Sequence, residues 1–175
     1  MLKLDISKAY DSVDWSFLRQ CLEIFGFPVI YINWTMACVS TVKFSVLVNG
    51  CLKGYFGSNR GLRQGDPISP YILTLIMKML SRLLGNLKSS GSYKFHPKCA
   101  RISLSHLMSA DDVIVFSKAN VESLVKVREA LNTFHEWSGL KVNVDKSAIF
   151  WRLQCEGGKH FLLLISRKGN SLLPT

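Results

Sequence analysis

The 175-residue chain lacks the features that mark several classes of protein. Its five cysteines, at positions 21, 38, 51, 99 and 155, form no CxxC pair. An odd, scattered set argues against a disulfide framework or a zinc site and favours a reducing compartment. No apolar run reaches the roughly 18 residues that span a bilayer, and no basic-then-apolar leader opens the chain. We therefore expect a protein of a reducing compartment that is not secreted.

Acidic residues are also scarce. The chain has 12 Asp and Glu against 22 Lys and Arg, which gives a formal net charge of +10. This excess suits a polyanionic partner, with nucleic acid first and an anionic membrane second. A merely basic globular protein explains the charge alone equally well. Apolar residues are plentiful, and 48% hydrophobic content is enough for the core of one ordinary domain.

The apolar pattern predicts an α+β fold, in which antiparallel strands are covered by helices. Asp14 is placed to cap a first helix that Gly26 ends, and Asn120 is placed to cap the last one. The Asn49-Gly50 pair suits a tight hairpin turn. The other predicted elements are a strand at 2–6, a helix at 28–38, hairpin strands within 43–56, a Gly/Pro-rich loop at 59–70, a helix at 71–84, strands on both sides of 111–112, and two short strands between 140 and 150. Residues 151–175 show little periodicity, so we expect an irregular tail there.

Two adjacent aspartates, Asp111 and Asp112, interrupt an apolar stretch, and Asp5 lies in the first predicted strand. Acids at a strand end and at a hairpin turn can meet across neighbouring strands, where they repel each other unless cations neutralise them. Hard oxygen ligands favour Mg²⁺ or Mn²⁺, and two such ions assist phosphoryl transfer. Taken singly, the Asp-Asp pair is most often a solvated turn, and Asp5 is more often a cap or an ion-pair partner. In combination, we expect the three carboxylates to lie close enough to share metal ions on one open face of a sheet.

Four segments, taken in order, resemble motifs A to D of the reverse transcriptases of non-LTR (LINE-type) retrotransposons, with the closest likeness to the plant elements. The segments are "KLDISKAYDSVDWSFL" (3–18), "GLRQGDPISPYIL" (61–73), "HLMSADDVIVFS" (106–117) and "SGLKVNVDKS" (138–147). The resemblance covers about residues 2–150. It implies that residues 1–150 form a partial polymerase palm, an antiparallel sheet covered by helices, with the fingers and thumb largely missing.

The resemblance also implies roles for the acids. Asp5 and Asp111 would ligate the catalytic Mg²⁺ or Mn²⁺, and Asp112 would complete the acidic cluster. Asp11 and Asp14 belong to the same motif, but the dipole at a helix N-terminus already accounts for them.

Further residues would meet the nucleotide and the template. Tyr10 would lie beneath the incoming sugar and exclude a ribose 2′-hydroxyl, and a core tyrosine is the alternative. Lys146, or else Lys141, would place a cation near the leaving phosphates, and a solvated surface lysine explains either equally well. The part of motif B that lies against template and nucleotide corresponds to Arg63, Gln64 and Gly65.

The implied reaction adds a deoxynucleotide to a DNA primer 3′-hydroxyl on an RNA template and releases pyrophosphate. Because the fingers are missing, we expect weak or no activity from the chain alone. Two alternatives stay open, a non-catalytic nucleic-acid-binding remnant and a metal-dependent nuclease built on the same acids. By this resemblance we expect no membrane partner, and a mobile-element polymerase would meet nucleic acid in the cytoplasm or the nucleus.

Three departures from the family pattern carry expectations of their own. Ser109 stands where the family usually has an aromatic residue, and its packing loss would be about 2–4 kcal/mol if that position is buried. Met1 has the character of an internal methionine adopted as a start. The tail after Phe150 suggests a frameshift, which the nucleotide sequence would test.

Overall fold

The computed structural model of the protein describes residues 1–89, 91, 93–154 and 160–165, with only the backbone described at 89, 151–154 and 160–165. Two short 3₁₀ turns, Leu87–Ser89 and Ala100–Ile102, accompany the regular elements. The strands are β1 (Leu2–Ser7), β2 (Lys43–Val48), β3 (Cys51–Gly57), β4 (His106–Ser109), β5 (Asp112–Val115), β6 (Lys141–Gln154) and β7 (His160–Ile165), and the helices are α1 (Ala9–Ser12), α2 (Trp15–Ile24), α3 (Val29–Ser40), α4 (Ser69–Asn86) and α5 (Val121–Ser138).

Five strands form one antiparallel sheet in the order β4-β5-β1-β6-β7, so β1 lies at its centre. Along β1 the side chains alternate between two faces, because successive residues of a strand point to opposite sides. Leu2, Leu4 and Ile6 are buried in the core, whereas Lys3 and Asp5 lie on the other face. The predicted α+β class, with helices covering an antiparallel sheet, is therefore confirmed.

The core forms between the buried face of the sheet and the helices. Its largest fully buried side chains come from β1, β5, α2, α4 and α5, which explains why these elements carry the periodic apolar residues of the sequence. Among the described residues, none of the helices combines the length and the apolar character that crossing a bilayer requires.

The strands β2 and β3 form a separate two-stranded hairpin, and the sequence predicted it correctly. Asn49 and Gly50 both have positive φ, of 50° and 78°, as a tight primed turn requires. Every residue of the two strands is exposed, so this hairpin contributes little to the core.

The helix starts were predicted with mixed success. The Asp14 side chain caps α2, since its Oδ1 accepts a hydrogen bond of 2.9 Å from the backbone N–H of Phe17. Asn120 precedes α5, but its side chain makes no cap bond, and its Oδ1 is buried without a hydrogen-bond partner. The cap prediction was therefore wrong at Asn120.

Two predictions about strands near the C-terminus were also wrong. The two short strands predicted between 140 and 150 are one strand, β6, with a register shift opposite Lys3 and Asp5. The described part of the tail is strand rather than irregular, since β6 continues to Gln154 and β7 pairs with it. The rest of the tail, at 155–159 and 166–175, and therefore most of the frameshift prediction, lies outside the described residues.

Candidate functional site

Asp5 and Asp112 occupy directly opposed positions on neighbouring strands. The register of β1 and β5 pairs Asp5 with Asp112. Directly opposed residues of an antiparallel pair project to the same side of the sheet, so these two acids, 107 positions apart in the chain, share one face. Their strand neighbours Leu4 and Val113 are buried on the other face. Asp5 is half-buried and Asp112 is exposed.

Asp111 lies in the tight turn between β4 and β5. Because Ser109 pairs with Asp112, the turn consists of Ala110 and Asp111 alone. Ala110 has a φ of 53°, a left-handed conformation that costs a residue with a Cβ roughly 1–2 kcal/mol. The turn therefore places Asp111 at the tip of the hairpin, directly beside Asp112 and the β1 strand end.

The three acids do not form a ready-made cluster. Among the described residues, no group of three His, Cys, Asp or Glu side chains is placed to hold a metal ion. The Lys3 Nζ instead lies 3.8 Å from Asp112 Oδ1. Like charges on opposed strand residues destabilise a sheet, so a neighbouring ammonium group relieves the repulsion. That the three carboxylates share metal ions stays a prediction, and the opposed positions of Asp5 and Asp112 are the observation that bears on it.

The donor set nevertheless has the chemistry that Mg²⁺ or Mn²⁺ prefers. Asp5 and Asp112 supply carboxylate oxygens from one open face, and Asp111 adds a third from the adjoining turn. Lys3 is half-exposed, and a long, flexible side chain of this kind can turn away at little cost. The residues therefore fit a divalent ion, provided that the acidic side chains move toward each other.

Ser147 holds the backbone of β1 at Asp5, and the sequence analysis did not identify it. The N–H of Asp5 donates to Ser147 Oγ at 3.2 Å, and this hydroxyl donates to the carbonyl of Asn143 at 2.6 Å. Asn143 Oδ1 also accepts from the N–H groups of Asp145 and Lys146, which folds the irregular part of β6. The polar sequence "NVDKS" was the available signal, since Asn commonly stabilises such local turns.

Residues 10–15, which follow β1 and which we call the turn after β1, are joined to the glycine-containing loop at 61–65 by three hydrogen bonds. Gly61 N–H donates to the Val13 carbonyl at 2.7 Å, and Leu62 N–H donates to the Tyr10 carbonyl at 2.6 Å. Trp15 Nε1 donates to the Gly61 carbonyl at 2.8 Å. Two segments about 50 residues apart in sequence therefore form one rigid joint next to the end of β1.

Gly61 cannot be replaced without moving this joint. Its φ is +91°, and a Cβ there would lie 2.8 Å from the Asp11 carbonyl oxygen. Gly65 has almost the same φ, +90°, but nothing lies within 4 Å of a Cβ placed there. The open space at Gly65 permits the close approach of a ligand, whereas Gly61 serves the packing of the protein itself.

The other predicted contact residues differ in exposure. Tyr10 is half-buried and packs against the core, which fits the core alternative without excluding a sugar contact. Arg63, Gln64 and Gly65 are exposed, and so is Lys146. Their side chains are accessible to a ligand, and their roles stay predictions.

Asp14 behaves as a helix-start acid. Hydrogen bonds from the Ser16 hydroxyl and from the backbone N–H of Phe17 lower the pKa of Asp14 below its ordinary value, and these bonds explain the residue without a metal. Ser109, in contrast, was expected to leave a packing defect if it was buried. It is exposed, so no buried cavity forms there and the expected loss does not apply.

The chain matches the family described as reverse transcriptase (RNA-dependent DNA polymerase) over residues 1–159, and it belongs to that family. It is a partial reverse transcriptase domain of the non-LTR, LINE-type class, as its retrotransposon relatives indicate. The Pol polyprotein of the type-2 retrotransposable element R2DM of Drosophila melanogaster is 29% identical over 143 residues, 82% of this chain and 13% of that protein. The 149 kDa protein of transposon TX1 of Xenopus laevis is 28% identical over 147 residues, 84% of this chain and 11% of that protein.

Solved structures support the palm-like fold. Apo telomerase of Candida tropicalis aligns with a TM-score of 0.62 at 14% identity, over 97% of this chain and 31% of that one. Telomerase of Candida albicans, in complex with a fragment of telomeric RNA, aligns with a TM-score of 0.61 at 16% identity, over 83% of this chain and 27% of that one. The chain thus spans a minor part of these two retrotransposon proteins and of these two telomerase chains.

Proposed function

We propose that this chain carries the catalytic carboxylates of an RNA-directed DNA polymerase, which adds deoxynucleotides to a primer 3′-hydroxyl on an RNA template. The observation that supports the proposal is the register of β1 and β5, which sets Asp5 opposite Asp112 beside the Asp111 turn. The family membership supports the same reaction. The chain spans 13% of the R2DM polyprotein and 31% of the Candida tropicalis telomerase, so we expect only weak extension by the chain alone.

Asp5, Asp111 and Asp112 would hold the divalent ions. When bound, Mg²⁺ or Mn²⁺ supplies activation of the attacking hydroxyl and stabilisation of the leaving oxygen in phosphoryl transfer. The three carboxylates would hold the ions on the open face of the sheet, and Ser147 Oγ accepts a hydrogen bond from the backbone N–H of Asp5 beside them. Lys3 would turn from Asp112 toward solvent or toward a phosphate.

The residues around this face would bind the substrates. The Tyr10 ring would contact the sugar of the deoxynucleoside triphosphate. The hydrogen bond from the Leu62 N–H to the Tyr10 carbonyl would hold the backbone of Tyr10 in place. Lys146 would place its ammonium group toward the leaving phosphates. The template and nucleotide would lie along the exposed loop residues Arg63, Gln64 and Gly65.

A primer-extension assay on an RNA template, with and without Mg²⁺, tests the proposal. We expect extension that is abolished in Asp111→Ala and retained in Asp11→Asn, because Asp11 is an exposed acid of the same motif that makes no contact with the acidic face in this account. Loss of extension in both variants would show that any acid in the region matters, and the proposed site would then be wrong.

A non-catalytic nucleic-acid-binding remnant is the second candidate, and two observations favour it. The net charge is +10, and no group of three acids among the described residues is preassembled for a metal. Binding that weakens steeply with salt, without any extension, would support this function. Mg²⁺-dependent strand cutting would support a nuclease built on the same acids.

A further inference from the structure

A groove of about 330 Å³ lies between α4 and the edge strand β4, apart from the acidic face described above. Its α4 wall includes Thr74, Lys78 and Ser81, which share one side of the helix at spacings of four and three residues. Its β4 wall includes His106, and Ala110 of the hairpin turn closes one end. The groove therefore adjoins the hairpin that carries the acids, and it is lined by an ammonium group, two hydroxyl groups and an imidazole.

His106 is held between two serine hydroxyls. Its Nε2 lies 2.8 Å from Ser81 Oγ, and its Nδ1 lies 2.9 Å from the hydroxyl of the buried Ser105. A neutral imidazole accepts at one nitrogen and donates at the other, whereas an imidazolium donates at both. If His106 gains a proton, Ser81 must accept from Nε2, and its own hydroxyl proton becomes free to donate into the groove.

Among the residues that line the groove, the one with a permanently charged side chain is Lys78. Asp111 and Asp112 follow directly after Ala110, beyond the end of the groove. Burial lowers the pKa of His106, and the nearby ammonium groups of Lys88 and Lys78 lower it further. The charged groups that act on His106 are thus cations from α4 and from the turn that follows it. An anion in the groove would reverse that effect, because it favours the imidazolium.

We propose that this groove binds a phosphate oxyanion, with the Lys78 ammonium and the Ser81 hydroxyl as the contacting groups and His106 as the positioning residue behind Ser81. The phosphate can come from inorganic phosphate or from a nucleic-acid backbone, and both offer the same acceptor oxygens. The inference does not depend on polymerase activity, since the groove lies outside the acidic face.

The first experiment follows the His106 imidazole by NMR in the full chain, with inorganic phosphate added at constant ionic strength. We expect phosphate to raise the pKa of His106 by about half a unit or more, since the anion stabilises the imidazolium. A purely structural histidine would show no such shift. An unchanged pKa in excess phosphate would overturn the proposal.

Variants on α4 supply the matched control. Lys78→Gln and Arg82→Gln remove one positive charge from the same helix, but the Arg82 guanidinium lies 4.7 Å from the centre of the Phe25 ring and serves a different contact. We expect Lys78→Gln to weaken phosphate binding about fivefold, which is the scale of a partly exposed charge pair, and Arg82→Gln to leave it nearly unchanged. Equal effects of the two variants would show only general charge attraction and would refute the site.

A second titration, with single-stranded oligothymidylate, distinguishes the two sources. If the backbone is the ligand, the oligonucleotide alone should raise the pKa of His106, and Lys78→Gln should weaken oligonucleotide binding more than Arg82→Gln. If free phosphate is the ligand, the oligonucleotide alone should leave the pKa of His106 unchanged, and inorganic phosphate should still raise it. Ser81→Ala should weaken binding in either case, and full retention of affinity in that variant would contradict the role given to its hydroxyl.

Discussion

Replacing Gly61 by alanine should destabilise the chain much more than the same replacement at Gly65. Both residues have a φ close to +90°, so an alanine pays the same conformational strain of roughly 1–2 kcal/mol at each position. The two sites differ in their surroundings. A Cβ at Gly61 would lie 2.8 Å from the Asp11 carbonyl oxygen, whereas nothing lies within 4 Å at Gly65.

The extra cost at Gly61 follows from the joint that it closes. Backbone atoms cannot rotate away as a flexible side chain does, so the loop must shift by several tenths of an ångström. That shift strains the three hydrogen bonds of the joint, each worth about 0.5–1.5 kcal/mol. We therefore expect Gly61→Ala to cost about 3–4 kcal/mol and Gly65→Ala about 1–2 kcal/mol, with the difference due to the contact alone.

Urea unfolding of the two variants, followed by far-UV circular dichroism, measures this difference. The free energies of unfolding are comparable if the slopes against urea agree. Primer extension is a second measurement on the same variants. If a ligand approaches Gly65, Gly65→Ala should reduce extension by more than its small loss of stability explains. Equal destabilisation of the two variants would refute the contact between the loop and the turn after β1.

Three further predictions concern stability and reactivity. Gly139→Ala should destabilise the chain by about 2 kcal/mol more than Gly26→Ala in the same urea assay. The φ values of Gly139 and Gly26 are nearly equal, at 75° and 77°, but a Cβ at Gly139 would lie 2.6 Å from the Ser12 carbonyl oxygen, whereas nothing lies within 4 Å at Gly26. Similar losses in the two variants would contradict this contact. Asp14→Ala should cost about 1 kcal/mol through the lost cap. Hydrogen bonds lower the pKa of Asp14, so its contribution to stability is fully present above the ordinary value of 3.8 and is lost as the pH falls through the lowered pKa. The variant and the wild type should therefore converge in stability as the pH is lowered below 3.8, and a constant difference would show that the charged form is not responsible. Burial raises the pKa of Cys21 to about 12, so iodoacetamide at pH 8 should modify the exposed Cys38 first and Cys21 only after unfolding, as mass spectrometry of the peptides would show; early labelling of Cys21 would contradict its burial.

Local sequence patterns predicted the elements whose cause is local. The Asn49-Gly50 turn has positive φ at both residues, and Asp14 caps α2, because each depends on atoms only a few positions away. Asn120 shows the limit of this reasoning, since a suitable residue at the helix start makes no cap bond once its side chain is turned into the protein.

Long-range register was beyond the sequence patterns. Asp5 and Asp112 were identified as candidates, but their pairing depends on how β5 aligns with β1, which no local signal determines. Gly61 was read only as a loop glycine, because its constraint comes from a carbonyl 50 positions away. Lys3 beside Asp112 was missed for the same reason.

The most direct measurement of the central claim is Mn²⁺ binding to the full chain, followed by electron paramagnetic resonance. Wild-type protein and Asp11→Asn should bind Mn²⁺ with similar affinity, and Asp5→Asn and Asp112→Asn should each weaken the binding at least tenfold, because each removes a charged ligand from the paired positions of β1 and β5. The same affinity in all four proteins would show that the opposed aspartates do not form a metal site, and the account of this face as a polymerase centre would be contradicted.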